Sequence, residues 1–172
     1  MKNTIILFSS EYGHTKEYAE YIGKKLDIKT LNIENIKEES LKDINRIVYG
    51  SSLYAGKLKN SNLIKNYLEK EIIIFTVGLA DPTESEYKET LDQNFTKEEQ
   101  EKIKFIHLRG GINYEKMSIK HKMMMYVMTK FLIKKELNEN PTPELIALNK
   151  SYGKTEIIFD EEGLNSLITY LK

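Results

Sequence analysis

Short apolar runs alternate along this chain with segments of helical spacing, and this alternation constrains the fold more than any other feature. Four runs have the length and composition of strands that are buried on both faces: Thr4–Ser9, Arg46–Gly50, Ile72–Val77 and Ile103–Leu108. A weaker alternating run, Ile28–Ile33, adds a fifth strand. Strands that alternate with helices form a parallel sheet covered on both faces. We therefore predict an α/β three-layer sandwich with a five-stranded parallel sheet of order 2-1-3-4-5.

Three further segments carry apolar residues at the spacing of an amphipathic helix. They are Thr15–Leu26, Ser61–Glu69 and Glu162–Leu171. At 172 residues the chain is long enough to bury a substantial core. Because the sequence contains no repeat, low-complexity segment or linker, we predict a single domain over residues 1–172.

Charge and cysteine content exclude several classes of protein. The 26 basic side chains balance the 26 acidic ones, so nothing indicates a nucleic-acid partner. The absence of cysteine excludes disulfides, thiolate metal sites and a cysteine nucleophile. The first strand begins close to Met1, which predicts no signal peptide. The longest apolar run, around Met123–Met128, is far shorter than the roughly 20 residues of a membrane span. We therefore expect a cytoplasmic protein.

The loop between the first strand and the first helix has the composition of a phosphate site. It consists of Ser9, Ser10, Glu11, Tyr12, Gly13, His14 and Thr15. Backbone N–H groups and the positive end of a helix dipole bind phosphate, and hydroxyl groups add donors. No lysine or arginine precedes Lys16, which favours a tightly held cofactor over a nucleoside triphosphate with its metal. An ordinary turn before a capped helix is the alternative.

Two further loops are expected at the same edge of the sheet. The second contains Ser51, Ser52, Leu53, Tyr54, Ala55 and Gly56, and the third contains Thr76, Val77, Gly78, Leu79 and Ala80. Tyr54 could stack on a planar ligand, or it could pack on the next helix. The third loop offers mainly backbone N–H and C=O groups, which suit the edge of a heterocycle. Together the three loops indicate a mononucleotide with a large flat ring system.

These loops resemble those of the flavodoxin family. Residues Leu7–Thr15 look like the flavodoxin phosphate loop, and Tyr54 takes the place of the aromatic residue that covers the flavin. A closer resemblance is to the flavodoxin-like branch that includes menaquinone-dependent protoporphyrinogen oxidase. It rests on residues Ile47–Lys57, Phe75–Ala80 and Leu108–Tyr114. The resemblance implies a flavodoxin-like fold, non-covalent FMN and redox function.

Two departures from ordinary flavodoxins bear on function. The chain is neutral, whereas flavodoxins are typically acidic, and it carries a long segment, Tyr114–Lys135, after the fifth strand. Both features favour a flavin-dependent oxidoreductase with a small hydrophobic substrate or quinone. The alternative is an electron carrier that serves a redox partner protein and has no substrate of its own.

The segment over residues 114–135 is rich in methionine and lysine. Met117, Met124, Met128 and Phe131 fall on one helical stripe. The stripe could simply cover one face of the sheet. It could instead receive a flat hydrophobic substrate or contact an anionic membrane surface, which would place the protein at the inner face of the membrane.

Other residues receive simpler interpretations. The resemblance implies that the Ala55–Gly56 peptide can flip towards the flavin and support one-electron chemistry, because Gly56 tolerates positive φ. His107 is interpreted as a core histidine, and His121 has no evident partner. No cluster of His, Asp and Glu has metal-ligand spacing. A phosphoacceptor receiver module is disfavoured, because Ser9, Ser51 and Arg109 stand where it needs acids and a lysine.

Overall fold

The computed structural model describes residues 3–54, 56–79, 87–127, 129–130, 138–139 and 143–172. The strands are β1 Thr4–Ser9, β2 Thr30–Asn32, β3 Arg46–Tyr54, β4 Lys57–Leu58, β5 Glu71–Gly78, β6 Ile103–Asn113 and β7 Thr155–Phe159. The helices are α1 His14–Leu26, α2 Ser61–Lys65, α3 Lys88–Asn94, α4 Lys97–Gln100, α5 Ile119–Val127, α6 Pro143–Ser151 and α7 Glu161–Leu171. Two short 3₁₀ turns, Ile33–Asn35 and Glu38–Leu41, follow β2.

The predicted parallel sheet is confirmed, and two antiparallel strands extend it. β2, β1, β3, β5 and β6 lie in the predicted order and are all parallel. The described sheet nevertheless has seven strands rather than five, because β4 pairs with the end of β3 and β7 pairs with the end of β6. Both additions are short, with two residues in β4 and five in β7, so neither has the continuous apolar run of a central strand.

Each face of the sheet packs against its own set of helices. On one face, Phe8, Val48 and Phe75 lie in a core that α1 and α7 complete with Ile22 and Leu167. The opposite face contributes the side chains that alternate with these along the strands. It packs against residues from the 3₁₀ turns, β4, α2 and the segment after α3: Ile33, Leu41, Leu58, Ile64 and Phe95. The predicted helices are therefore amphipathic elements that cover a sheet buried on both sides.

Several boundaries differ from the predictions. β3 continues to Tyr54 and β5 continues to Gly78, so the second and third predicted loops are partly strand. The reason is that pairing continues beyond the apolar runs: Tyr54 pairs with Lys57 of β4, and Gly78 pairs with Arg109 of β6. α2 ends at Lys65 rather than at Glu69.

α1, β6 and α7 meet at the hydroxyl of Tyr18. This hydroxyl donates to the carbonyl oxygen of Arg109 at 2.7 Å and accepts from the backbone N–H of Asp160. The Tyr18 ring stacks on Phe159, with ring centroids 4.7 Å apart. The Asp160 carboxylate accepts from the backbone N–H of Gly163 at 2.9 Å and thereby caps α7. These contacts hold α1, and therefore the loop that precedes it, against the end of the sheet.

Candidate functional site

The loop from Ser9 to Thr15 connects β1 to α1 through a left-handed residue. Gly13 has φ of +100° and is the residue before the first turn of α1. Its N–H donates to Ser10 Oγ at 3.1 Å, so the Ser10 hydroxyl shapes the loop from within. In the described structure no side chain caps this end of α1. The first-turn N–H groups therefore receive no side-chain cap from the described residues, which is the arrangement that the predicted phosphate site requires.

Two observations on this loop bear on the predicted phosphate site. A Cβ atom at Gly13 would meet nothing within 4 Å, so space lies open beside the loop backbone. His14 Nε2 is buried and has no hydrogen-bond partner among the residues that the structure describes. A buried polar atom without a partner is costly, and a bound phosphate could satisfy it. The donors, the open space and this nitrogen fit the phosphate of a mononucleotide.

A row of buried polar side chains crosses four parallel strands beside this loop. Ser9 pairs with Ser51, Ser51 pairs with Thr76, and Thr76 pairs with His107 in the sheet register. All four are buried, with exposures between 0% and 7%. Thr76 Oγ1 lies 2.7 Å from His107 Nδ1. The sheet therefore brings one residue from each of the three predicted loops side by side on neighbouring strands. His107 of β6 extends the row.

Tyr49 lies on the same face of the sheet, two residues before Ser51 in β3. The side chain is fully buried, and its hydroxyl donates to the carbonyl oxygen of Lys59. Burial raises the pKa of Tyr49 to about 12, although hydrogen bonds with Ser51 and Ser9 oppose the shift. Tyr49 is therefore neutral at physiological pH and fixes the chain after β4 to the polar row.

The β3–β4 hairpin is held from the side by Asn94 of α3. Asn94 Nδ2 donates to the Gly56 carbonyl oxygen at 2.8 Å, and Asn94 Oδ1 accepts from the Leu58 N–H at 3.0 Å. Gly56 has φ of +74°, the left-handed conformation that glycine adopts at little cost. Ala55 and the Tyr54 side chain lie outside the described residues. Flavin stacking on Tyr54 and the peptide flip at Ala55–Gly56 therefore remain predictions.

The end of β5 differs from the third loop that the sequence predicts. Thr76, Val77 and Gly78 are strand residues, and Leu79 follows them with a partly buried side chain. Ala80 lies outside the described residues. His107 is the buried core histidine that the sequence predicts, and its ring stacks on Tyr87 with centroids 4.0 Å apart. The third predicted loop is therefore strand as far as Gly78, which pairs with Arg109 of β6.

The side chains of Glu11 and Tyr12 contact residues outside the loop. Glu11 Oε2 lies 3.5 Å from Lys59 Nζ in a half-exposed ion pair. The Tyr12 hydroxyl shares a hydrogen bond with His121 Nδ1 of α5, and the two rings meet edge to face at 5.7 Å. The prediction that His121 has no partner is therefore wrong. Sequence periodicity could not reveal this pair, because the two residues lie 109 positions apart.

The methionine stripe also differs from the prediction. α5 spans Ile119–Val127, so Met117 precedes the helix. Met125 is buried with 4% exposure, whereas Met124 is only partly buried. Met128 and Phe131 have no described structure. The buried side of α5 is therefore centred on His121 and Met125, roughly one helical turn apart on the same face.

Two negative findings concern the described part of the chain. It contains no group of three or more His, Asp or Glu side chains that could hold a metal ion. It also contains no helix with the length and apolar character needed to cross a membrane.

Comparison with known proteins assigns the fold to a family. The family model described as a flavodoxin domain matches residues 5–138. No curated protein matches the chain. Among solved structures, it is similar to a flavodoxin, WrbA-like protein from Agrobacterium tumefaciens, with 16% identity and a TM-score of 0.43 over 70% of this chain and 87% of that one.

Two other solved structures are similar at the same level. A flavoprotein in complex with FMN from Lactobacillus acidophilus has 17% identity and a TM-score of 0.42, over 63% of this chain and 93% of that one. A flavodoxin from Pseudomonas aeruginosa has 18% identity and a TM-score of 0.40, over 76% and 96%. The family match covers well over half of the residues, including the phosphate loop and all five parallel strands. The chain therefore belongs to the flavodoxin-domain family, a membership that supports FMN as its cofactor.

Proposed function

We propose that this protein binds FMN non-covalently and acts as a flavin-dependent oxidoreductase on a small, flat, hydrophobic substrate such as a quinone. When bound, FMN supplies the redox chemistry, and the protein orients it and sets its surroundings. The observation that carries the proposal is the loop before α1, where left-handed Gly13, open space and the unsatisfied His14 Nε2 occur together.

The residues of this loop have distinct tasks in the proposal. The N–H groups at the start of α1 hold the phosphate, and the hydroxyls of Ser9, Ser10 and Thr15 add donors. Ser9 and Thr15 are each 2% exposed, so a ligand could contact their hydroxyl groups only at the opening of the loop. The Asn94 side chain fixes the β3–β4 hairpin, where Tyr54 would cover the flavin ring.

Within the flavodoxin-domain family, we propose that the protein belongs to the branch that includes menaquinone-dependent protoporphyrinogen oxidase. Two features support it over an electron carrier. The chain has no net negative charge to steer it to a basic redox partner. α5 is joined to the phosphate loop through Tyr12 and His121, which supports a role for the added segment beside the cofactor.

The cofactor is tested by comparing FMN with riboflavin, which lacks the phosphate. We expect quenching of flavin fluorescence to give tighter binding of FMN than of riboflavin. Thr15→Val and His14→Phe should each weaken FMN binding by about tenfold or more, since each removes a donor to a charged group. They should leave riboflavin binding nearly unchanged. Thr30→Val, a partly buried threonine in β2, is the control that should change neither.

A protein that takes up neither flavin, or binds riboflavin as tightly as FMN, would contradict the phosphate site. Enzyme and carrier are then separated with the FMN-loaded protein. We expect it to oxidise protoporphyrinogen with a quinone as acceptor. Failure to do so, together with rapid electron exchange with a reductase and a partner protein, would favour the carrier.

A further inference from the structure

α5 carries a second apolar face that points away from the protein. Ile119 is 82% exposed, Met123 65%, Tyr126 47% and Val127 45%. At about 100° per residue these four side chains occupy an arc of about 100° on the helix. Large apolar side chains at such exposures, adjacent on one helix, form a patch rather than scattered surface residues.

The opposite side of α5 is fixed to the protein. His121 is bound to Tyr12 of the phosphate loop, and Met125 is 4% exposed. Thr129 Oγ1 donates to the Met125 carbonyl oxygen at 2.6 Å, where Thr129 is itself buried. Turning the helix to bury Ile119 and Met123 would break these contacts. The outer face is therefore held towards solvent.

Lysines border this outer face on both sides. Lys120 and Lys122 lie at opposite edges of the arc, and Lys116 and Lys130 lie just before and just after the helix. Lys122 Nζ lies 5.5 Å from the centroid of the Tyr114 ring, which holds it at the edge. Glu115 is the acidic residue among the described positions from 114 to 130.

We propose that the outer face of α5 docks on an anionic lipid surface. The apolar arc would enter the headgroup region, and the bordering lysines would contact lipid phosphates. The charges favour a lipid surface over a second copy of the chain as the partner of this face. Two copies packed through the face would bring their lysines together and repel each other. Docking would place the phosphate loop about one helix diameter, roughly 10 Å, from the lipid surface.

Co-sedimentation with lipid vesicles tests the proposal and requires no flavin. The vesicles are phosphatidylcholine alone or phosphatidylcholine mixed with phosphatidylglycerol. We expect binding to the mixed vesicles, no binding to phosphatidylcholine, and release at high salt. Ile119→Ser combined with Met123→Ser should abolish binding. Lys120→Glu should weaken it by about fivefold or more, the effect of one lysine near an anionic surface.

Matched variants control for fold and for total charge. Leu63→Ser changes an apolar side chain on α2 that is 43% exposed, and it should bind like wild type. Lys102→Glu changes net charge equally at the far end of the sheet and should also bind like wild type. Circular dichroism checks that each variant is folded.

Wild-type protein that stays in solution with the mixed vesicles, or Lys102→Glu losing as much binding as Lys120→Glu, would overturn the proposal. Concentration-dependent dimerisation that the Ile119 and Met123 changes remove, without vesicle binding, would overturn it in favour of self-association.

Discussion

The hydroxyl of Tyr12 shares a hydrogen bond with Nδ1 of His121, and this contact joins the phosphate loop to α5. The two rings meet at an interplanar angle of 77°. Because one partner belongs to the phosphate loop and the other to the methionine-rich helix, changes in either element reach the other directly. The pair therefore couples α5 directly to the loop that precedes α1.

We predict that Tyr12→Phe loosens α5 without unfolding the protein. The free energy of unfolding should fall by about 1 kcal/mol, the usual net value of one hydrogen bond. Amide hydrogen exchange over Ile119–Val127 should become faster, since local opening of the helix is easier. Tyr126→Phe, which removes an exposed hydroxyl from the same helix, is the control. Equal exchange rates in the two variants would contradict the role of the pair.

We predict that substitutions at Gly13 act through backbone conformation and not through steric overlap. A side chain has room there, but φ of +100° costs a residue other than glycine about 1–2 kcal/mol. Asn tolerates this conformation better than a β-branched residue. Urea denaturation should therefore rank stability as wild type, then Gly13→Asn, then Gly13→Val. FMN binding should weaken in the same order. A Gly13→Val protein as stable as wild type would show that the loop adopts another conformation.

We predict that Asn94→Ala destabilises the β3–β4 hairpin. The change leaves the Leu58 N–H and the Gly56 carbonyl without their side-chain partner, and the free energy of unfolding should fall by about 2–3 kcal/mol. FMN affinity should fall as well, because Tyr54 belongs to this hairpin. Gln93→Ala, at the exposed neighbouring position, should change stability by less than about 0.5 kcal/mol. Similar losses in both variants would place the effect in α3 and not in the hairpin.

We predict that Tyr49 makes the protein less stable at alkaline pH. Between about pH 10 and pH 12, the unfolded state loses the Tyr49 proton while the folded state keeps it, because burial raises the pKa to about 12. The unfolded state then binds fewer protons, so stability falls as pH rises. From neutral pH to about pH 11 the loss is about 1.4 kcal/mol. Comparing wild type with Tyr49→Phe cancels the other tyrosines, and the stability difference between them should shrink by this amount. A constant difference would mean that the Tyr49 hydroxyl titrates like an exposed phenol.

The sequence predicts the framework of the fold correctly because that information is local. Apolar runs such as Thr4–Ser9 and Ile72–Val77 identify buried strands by composition alone, and right-handed crossovers through the intervening helices leave few possible strand orders. The loop proposed to hold the phosphate is identified for the same reason, since its residues are contiguous and lie between a strand and a helix. β7 is missed because Thr155–Phe159 is a short edge strand that is partly exposed.

Residues that meet across the sheet could not be predicted in the same way. Ser9, Ser51, Thr76 and His107 form one row because the strands adopt one register, and register is set by packing and not by local periodicity. Likewise, the hydrogen bond between Asn94 and Gly56 joins a helix to a turn 38 residues away.

The sequence by itself determined the parallel α/β class of the sheet and the loop between its first strand and first helix, because both follow from the composition of neighbouring residues. Tertiary structure alone decided the partner of His121 and the polar row beside the loop. It also decided which side of α5 faces solvent, because the contacts of His121 and Met125 with the rest of the protein fix the rotation of that helix. A helix with apolar residues on two sides has no preferred inward face until another part of the chain binds one of them.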